Sequence, residues 1–422
     1  MEQAIADKVL NSIDREKLVQ LEQAMVRIPS PTYEEGPLAD YLATYMQKMG
    51  LEVEIIEVED HTGGPRRSRQ PLGWLRGQSN SPLLMFNGHM DHNPVVGEWD
   101  RDPFSGDIED GWIFGRGSQD EKGGIAAMIS AADAIRRSGL HLQGSIVLAP
   151  VMGHKYGGLG TRILTSRGIK PDLVINTENS GNGIAHACVG VLRLIIQIFS
   201  KPLHFHSPAD LKEQHGQPIE QMAAIIQALG PGLTPIPEDG WLTFEPHPDL
   251  PGYPQLRMEV ARGQNSKNDP CQLEFQIRTV PGQTADTVRS DLERLLEGLK
   301  EADPRLRYQV EVPPGVEREH YGWDMPAFSL SRSHPLVQVM AKWHEHVTGK
   351  PPEVSAKPRI GAVGDGNLYG ATGIPTILYG PGDIDIFEQW PTPNERVLIE
   401  DIVVAAKTMA LTAVEMCGVD TG

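Results

Sequence analysis

Two polar side chains follow an apolar run that ends near residue 88. His89 and Asp91 come directly after the segment PLLMFNG, whose composition is typical of a buried strand. Side chains two positions apart on an extended backbone lie on the same face. An imidazole that binds a metal needs a partner at its other ring nitrogen, and Asp91 could provide one. His89 is therefore a candidate metal ligand and Asp91 a candidate catalytic residue, although an isolated H-x-D pair would more simply be a polar loop.

Three further polar clusters have the same placement. Asp120 stands just before the helical pattern KGGIAAMISAADAIRRSG, the pair His154 and Lys155 follows the strand pattern SIVLAPV, and Glu178 follows PDLVINT. Ligands of open α/β sheets bind at the carboxyl ends of the strands. The shared placement predicts one site that contains all of these side chains.

The order of the patterns predicts two domains. Alternating strands and helices in residues 1–188 predict an α/β domain, with a central mixed sheet and helices on both faces. Residues 189–317 read strand, helix, strand, strand, helix, strand, which predicts an inserted α+β module of the ferredoxin-like kind. The α/β pattern returns in 318–422, so we expect a catalytic metal-binding domain formed by 1–188 and 318–422.

Composition excludes several classes of protein. Lys and Arg number 38 against 56 Asp and Glu, a net charge of −18 that counts against nucleic-acid binding. The 3 cysteines form no CxxC pair, so neither a disulfide framework nor a thiolate zinc cluster is expected. No apolar run approaches the length of a membrane span, and the N-terminus has no signal-peptide core, so we expect a cytoplasmic protein without a membrane partner.

The region from His89 to Gly124 resembles the signature of the M20 metallopeptidase and aminoacylase family. That signature is G-H-x-D, then P-F, then G-R-G-x-x-D-x-K-G-G, and this chain reads GHMD, PF and GRGSQDEKGG. Further agreements follow in chain order: GGLGTR at 157–162, HFHSP at 204–208, GIP at 373–375, GPG at 380–382 and TPNE at 392–395. The resemblance covers nearly the whole chain and implies a zinc-peptidase-like domain with an inserted lid that forms dimer contacts.

The resemblance also implies a metal centre. Members of the family place two metal ions on a bridging aspartate, which corresponds here to Asp120. His89 and Glu178 correspond to the other two ligands of one of those ions. Imidazole and carboxylate ligands with an open position suit zinc, manganese or a similar divalent metal.

The second metal site departs from the family pattern. Two adjacent glutamates, a general base and a metal ligand, are replaced here by His154 and Lys155, and the histidine expected before TPNE is Pro391. A lysine ammonium cannot bind a cation but can neutralise the charge that the cation would balance. We therefore predict one divalent ion per chain, Mn or Zn, with His154 as a catalytic base; the alternative is that His154 remains from a lost activity. Asp365, in VGDGN, matches a family aspartate without an assigned role.

The inserted module is expected to bind substrate. His206 matches a lid histidine that reaches across a dimer, and His204 alternates with it on the same strand face. Arg278 could hold a carboxylate with its guanidinium, and either Asn265 or Asn268 matches the lid asparagine. The implied partner is a small molecule that carries a carboxylate, bound by a homodimer or higher homo-oligomer.

One metal ion and a histidine base suit an electrophile that is easier to attack than a peptide. Within the resemblance, the reaction that fits is an aminohydrolase reaction that replaces an aromatic amine by hydroxyl and converts 5-nitroanthranilate to 5-nitrosalicylate. Hydrolysis of an acyl-amino acid or dipeptide is a second possibility. A non-catalytic binding protein that keeps the fold is a third.

Overall fold

A computed structural model describes residues 1–59, 67–199, 217–263, 270–312, 324–355, 363–382 and 392–420. The α-helices in these ranges, α1 to α10, are Gln3–Leu10, Arg15–Val26, Gly36–Lys48, Gly123–Arg137, Leu159–Ser166, Pro218–Leu229, Ala285–Ala302, Pro335–Thr348, Gly366–Gly370 and Ile399–Cys417. The strands, β1 to β18, are Glu52–Glu59, Arg67–Leu75, Leu83–His89, Ile108–Glu109, Trp112–Phe114, Ser145–Val151, Leu173–Asn176, Ile184–Ala185, Ala187–Cys188, Gly190–Ile198, Gln255–Arg262, Cys271–Thr279, Tyr308–Glu311, Asp324–Met325, Phe328–Ser329, Val354–Ser355, Thr376–Leu378 and Arg396–Leu398.

The chain divides into two compact units. The first contains Met1–Ala187 and Ser329–Gly422, and the second contains Cys188–Phe328. The second unit therefore extends past residue 317, where the sequence placed its end. The reason lies in β14, which pairs with β10 of the second unit instead of joining the sheet of the first.

The first unit is built on an eight-stranded mixed sheet with the order β1-β2-β6-β3-β7-β17-β8-β16. At its centre β3 lies between β6 and β7, and both pairings are parallel. All residues of β6 and β7 are buried, as expected for parallel strands covered on both faces. The carboxyl ends of these three strands therefore lie side by side at one edge of the sheet.

Helices with small apolar side chains pack close together in this unit. The sequence of α4 contains Ala126, Ala127, Ala131 and Ala132, all fully buried. This helix packs against α10, which also packs against α8. Because α4 begins immediately after the segment Ser118–Lys122, its packing fixes that segment relative to the sheet.

The second unit has a separate antiparallel sheet with the order β11-β12-β10-β13, and β14 also pairs with β10. In chain order the unit reads β10, α6, β11, β12, α7, β13, which is the pattern of elements that the sequence indicated. Its own apolar core includes Leu194, Phe275 and Leu292. Among the described residues, no helix has the length and apolar character needed to cross a membrane.

Candidate active site

Three residues of the candidate site lie at the carboxyl ends of three neighbouring parallel strands. His89 is the last residue of β3, and Glu178 lies two positions after the end of β7. His154 begins the single turn His154–Tyr156, which follows β6. All three side chains are buried, and one nitrogen or oxygen atom from each lies within 4.8 Å of the others, so the three converge on one position.

Asp120 reaches the same place from the segment before α4. Its Oδ1 lies 2.9 Å from Nε2 of His89, and Oε2 of Glu178 lies 3.6 Å from the same nitrogen. The other ring nitrogen of His89, Nδ1, lies 2.7 Å from the backbone carbonyl oxygen of Asp91. A hydrogen on Nδ1, donated to that carbonyl, leaves the lone pair of Nε2 directed toward the two carboxylates, where an ion would bind.

The ring of His154 is stacked on the ring of His89. The two ring centroids are 4.2 Å apart and the planes differ by 6°. The lone pair of an imidazole nitrogen lies in the plane of its ring, so an ion in the plane of His89 would lie outside the plane of His154. This geometry places His154 beside the candidate metal position and disfavours it as a ligand that shares one ion with His89.

Asp91 positions the turn that carries His154. Its Oδ1 accepts a hydrogen bond from the backbone N–H of His154 at 3.0 Å, and its Oδ2 accepts one from the backbone N–H of Lys155 at 3.1 Å. Thr32 donates its hydroxyl to Oδ2 at 2.8 Å. The H-x-D spacing predicts that the Asp91 carboxylate orients the ring of His89. Instead the carbonyl of Asp91 is the nearer acceptor, and the carboxylate lies 3.5 Å from Nδ1.

The second carboxylate oxygen of Asp120, Oδ2, accepts hydrogen bonds from two nitrogen donors. Nζ of Lys155 donates to Oδ2 of Asp120 at 3.1 Å, and Nδ2 of Asn93 donates to the same oxygen at 3.2 Å. Lys155 thus neutralises the aspartate from the side opposite His89, as the sequence indicated. Asn93 could not be recognised from the sequence, because nothing in its spacing distinguishes it from other polar loop residues.

Glu121 adds a further buried carboxyl group, which no motif in the sequence indicates. It accepts a hydrogen bond from the backbone N–H of His89 and hydrogen-bonds the side chain of Glu178. Burial, followed by the charges of Glu178 and Asp120, raises the pKa of Glu121 well above its usual range. Such crowding of buried carboxyl groups fits a site that holds a cation.

The pKa of His89 reflects the same excess of negative charge. Burial and the charge of Lys155 lower this pKa, but the hydrogen bond and charge of Asp120, together with Asp91, outweigh them and raise it to about 9. One imidazole and two carboxylates that converge in a buried, negatively charged pocket fit a divalent zinc or manganese ion. The side chains of His89, Asp120 and Glu178, the predicted ligands, have the donor chemistry that such an ion needs.

Glu395 holds the loop that carries Asp120. Its carboxylate accepts hydrogen bonds from the backbone N–H groups of Gly117, Gln119 and Asp120, at 2.9, 3.1 and 3.1 Å. Arg116 donates Nη1 to the same carboxylate at 2.9 Å, and both side chains of this ion pair are fully buried. Glu395 ends the TPNE motif, so the sequence pointed to the residue but not to this role.

The remaining predicted residues belong to the second unit or lie outside the described ranges. Arg278 is on β12, and its Nη1 is buried with no hydrogen-bond partner among the described residues. Burial lowers the pKa of Arg278 to about 10. Five predicted positions are outside the described residues: His204, His206, Asn265, Asn268 and Pro391.

Comparison with known proteins gives relatives along the whole chain. An N-formyl-4-amino-5-aminomethyl-2-methylpyrimidine deformylase from Halalkalibacterium halodurans is 29% identical and is matched over 98% of each chain. A succinyl-diaminopimelate desuccinylase from Methylorubrum extorquens is 30% identical over 90% of this chain and 94% of its own length.

Solved structures and a family model complete the comparison. The aminopeptidase PepT from Bacillus cereus superposes with a TM-score of 0.73 at 19% identity, over 96% of this chain and 100% of that one, which shows the fold. The model of peptidase family M20/M25/M40 matches residues 85–415. The match covers most of the chain, including the candidate active site, and this protein therefore belongs to peptidase family M20/M25/M40.

Proposed function

We propose that the protein is a hydrolase of carbon–nitrogen bonds that works with one divalent ion, Mn or Zn, bound by His89, Asp120 and Glu178. The observation that carries the proposal is the environment of Oδ2 of Asp120. Donors from Lys155 and Asn93 occupy this oxygen, which a second ion would need. An oxygen that accepts two N–H donors, one of them cationic, is a poor ligand for a second cation.

The protein's own residues supply the proton transfers. A divalent ion in this site supplies Lewis-acid activation of water when it is bound. His154 takes a proton from the attacking water at Nε2, since its Nδ1 faces Asp365 at 2.8 Å. The water oxygen forms a bond to the carbon, the carbon–nitrogen bond breaks, and the protonated His154 returns the proton to the leaving nitrogen. Lys155 keeps Asp120 neutralised throughout.

The substrate that we propose is 5-nitroanthranilate, converted to 5-nitrosalicylate and ammonia. The nitro group withdraws electrons from the ring, so water can add at the carbon that bears the amine without the second ion that peptide hydrolysis uses in this family. The carboxylate needs a cationic partner, and Arg278 is the proposed one. Its buried Nη1, without a partner in the described part of the chain, supports that assignment.

A second candidate is hydrolysis of an amide. The relatives named above are a deformylase and a desuccinylase, and the deformylase matches 98% of this chain. A formamide is small and its carbonyl is less hindered than that of a peptide. A one-ion site with a histidine base could hydrolyse such a bond by the same proton transfers.

One assay separates these candidates. The purified protein, loaded with Mn or Zn, is incubated with 5-nitroanthranilate, and release of ammonia and 5-nitrosalicylate is measured. Parallel reactions contain the N-formyl aminopyrimidine named above and N-succinyl-diaminopimelate. We expect turnover of the aromatic amine in wild type and none in Glu178→Gln. Turnover of an amide alone would assign the second candidate, and no turnover with either metal would overturn the proposal of an enzyme.

We also propose that the protein is a homodimer, an inference that rests on the family resemblance of the second unit. Sedimentation velocity measures the mass of the assembly. If His206 completes the site of a neighbouring subunit, a mixture of inactive His206→Ala and inactive Glu178→Ala proteins should recover part of the activity. Demonstrated subunit exchange without recovery would contradict a shared site.

A further inference from the structure

We infer that Asp365 is a positioning residue for His154, and that its carboxylate holds the imidazole with the hydrogen on Nδ1 and the lone pair on Nε2. The inference extends the proposed function, in which His154 accepts a proton from water. No role for this aspartate followed from the sequence.

The contact between the two side chains is short and shielded from water. Oδ2 of Asp365 lies 2.8 Å from Nδ1 of His154, and the two side chains are 0% and 4% exposed. The other end of His154 is fixed as well, because its backbone N–H is bound by Asp91 and its ring is stacked on His89. The ring therefore has one face and one nitrogen occupied by neighbours.

The loop that carries Asp365 is seated tightly against the end of β7. Methyl groups at Gly364 and Gly366 would overlap the side chain of Asn176, so only glycine allows this close approach on both sides of the aspartate. Asn367 closes the turn, since its Oδ1 accepts a hydrogen bond from the backbone N–H of Gly364 at 3.2 Å. The sequence G-D-G-N thus fixes where the carboxylate of Asp365 lies.

The chemistry of the pair determines the tautomer. An ionised carboxylate only accepts hydrogen bonds, so the hydrogen of the neutral imidazole must be on Nδ1. The free lone pair is then on Nε2, which is the nitrogen that must accept a proton from water. Oδ1 of Asp365 has no hydrogen-bond partner among the described residues, so no other described hydrogen bond competes for the carboxylate.

The tautomer can be measured without any turnover. Nitrogen NMR of protein labelled with ¹⁵N-histidine and loaded with zinc distinguishes protonated from unprotonated ring nitrogens, and His154→Gln identifies the signals of His154 among the 14 histidines. We expect a protonated Nδ1 and an unprotonated Nε2 in wild type. In Asp365→Asn, the amide no longer enforces this state and the signals should shift. A wild-type His154 with the hydrogen on Nε2 would overturn the inference.

Kinetics then test whether the arrangement serves catalysis. Asp365→Asn should lower kcat by roughly 100- to 10,000-fold while KM stays within about threefold, because in the inferred role Asp365 acts through His154. Metal content should stay at the wild-type value. In a His154→Gln background, Asp365→Asn should change kcat by less than about twofold, since the two residues act as one unit.

A matched control is Asp172→Asn. Asp172 precedes the opposite end of β7, where it accepts hydrogen bonds from Ser81 and Leu83, so its replacement tests a merely structural aspartate. Equal effects of Asp365→Asn in wild type and in His154→Gln would overturn the positioning role. If wild type turns over none of the substrates, the proposed function fails, and the NMR result alone decides whether Asp365 sets the tautomer.

Discussion

Nζ of Lys155 donates a hydrogen bond to Oδ2 of Asp120 across 3.1 Å, and the lysine side chain is only 12% exposed. The ammonium therefore balances the charge of the aspartate at the oxygen that does not contact His89. In the proposed function, this pair is what limits the centre to one ion.

We predict one divalent ion per chain. Elemental analysis of the purified protein after incubation with excess Mn or Zn and removal of free metal should give a ratio near one. His89→Ala and Glu178→Gln each remove a ligand and should lower the ratio well below one, whereas Lys155→Met keeps all three ligands and should still bind one ion. A ratio of two in wild type would contradict the neutralising role of Lys155.

We predict that His154→Gln lowers turnover and leaves metal binding intact. The ring of His154 lies beside the ring of His89 but in a separate parallel plane, so its loss removes a proton acceptor and not a ligand. The expected fall in kcat is roughly 100- to 10,000-fold, with KM changed much less. Steady-state kinetics and metal analysis on the same samples check both parts. The exposed His141 provides the control variant His141→Gln, which should behave as wild type.

The polar clusters at strand ends were predictable, because parallel strands gather their carboxyl ends at one edge of a sheet. The sequence placed His89, Asp120, His154 and Glu178 in one site, and the structure brings them together. The role of Asp91 was predicted wrongly in one respect. Whether its carboxylate or its carbonyl faces His89 depends on a backbone direction after the strand, which residue type and spacing do not determine.

Contacts between residues distant in the chain could not be predicted from the sequence pattern. Asp365 meets His154 across 211 positions, and Glu395 meets Asp120 across 275. Both contacts depend on how loops from different parts of the first unit fold onto the same sheet edge. The sequence pattern also ends the second unit too early, at residue 317 instead of Phe328. The two-residue strand β14, which pairs with β10, is too short to show an alternating pattern in the sequence.

We predict that Glu395→Gln weakens metal binding and stability together. The amide would direct its own N–H donors toward backbone N–H groups that now donate hydrogen bonds to the carboxylate. Arg116 would also lose the buried carboxylate with which it forms an ion pair. Removing one member of a buried ion pair costs about 3–5 kcal/mol in the free energy of unfolding. The loop before Asp120 should loosen, so the dissociation constant of the ion should rise.

Chemical unfolding and metal titration measure the two effects of Glu395→Gln. The matched control is Glu400→Gln, an exposed glutamate in the first turn of α10, which should change neither quantity appreciably. A Glu395→Gln protein that unfolds at the wild-type denaturant concentration and binds the ion as tightly would show that the hydrogen bonds of Glu395 are dispensable.

Glu22 is a fully buried residue of α2. Neither oxygen of its carboxyl group has a hydrogen-bond partner among the described residues. Burial raises its pKa well above the ordinary value of 4.5, against the opposing charge of Lys122 and with a smaller contribution from Glu395. In the unfolded chain the pKa returns to about 4.5. At a pH between 4.5 and the folded-state pKa of Glu22, the folded protein binds one more proton than the unfolded protein.

The sign of the pH dependence follows from this difference. The contribution of Glu22 to stability is fully present below pH 4.5 and is lost as the pH rises toward the folded-state pKa. The loss amounts to as much as about 1.4 kcal/mol for each pH unit in that window.

Glu22→Gln does not titrate, so its free energy of unfolding should exceed that of wild type by a margin that grows from acidic to neutral pH. Urea unfolding of both proteins across this range measures the margin, and other titrating groups cancel in the comparison. Glu16→Gln, on the exposed face of the same helix, should give a margin that does not change with pH. A constant margin for Glu22→Gln would show that Glu22 is ionised in the folded protein.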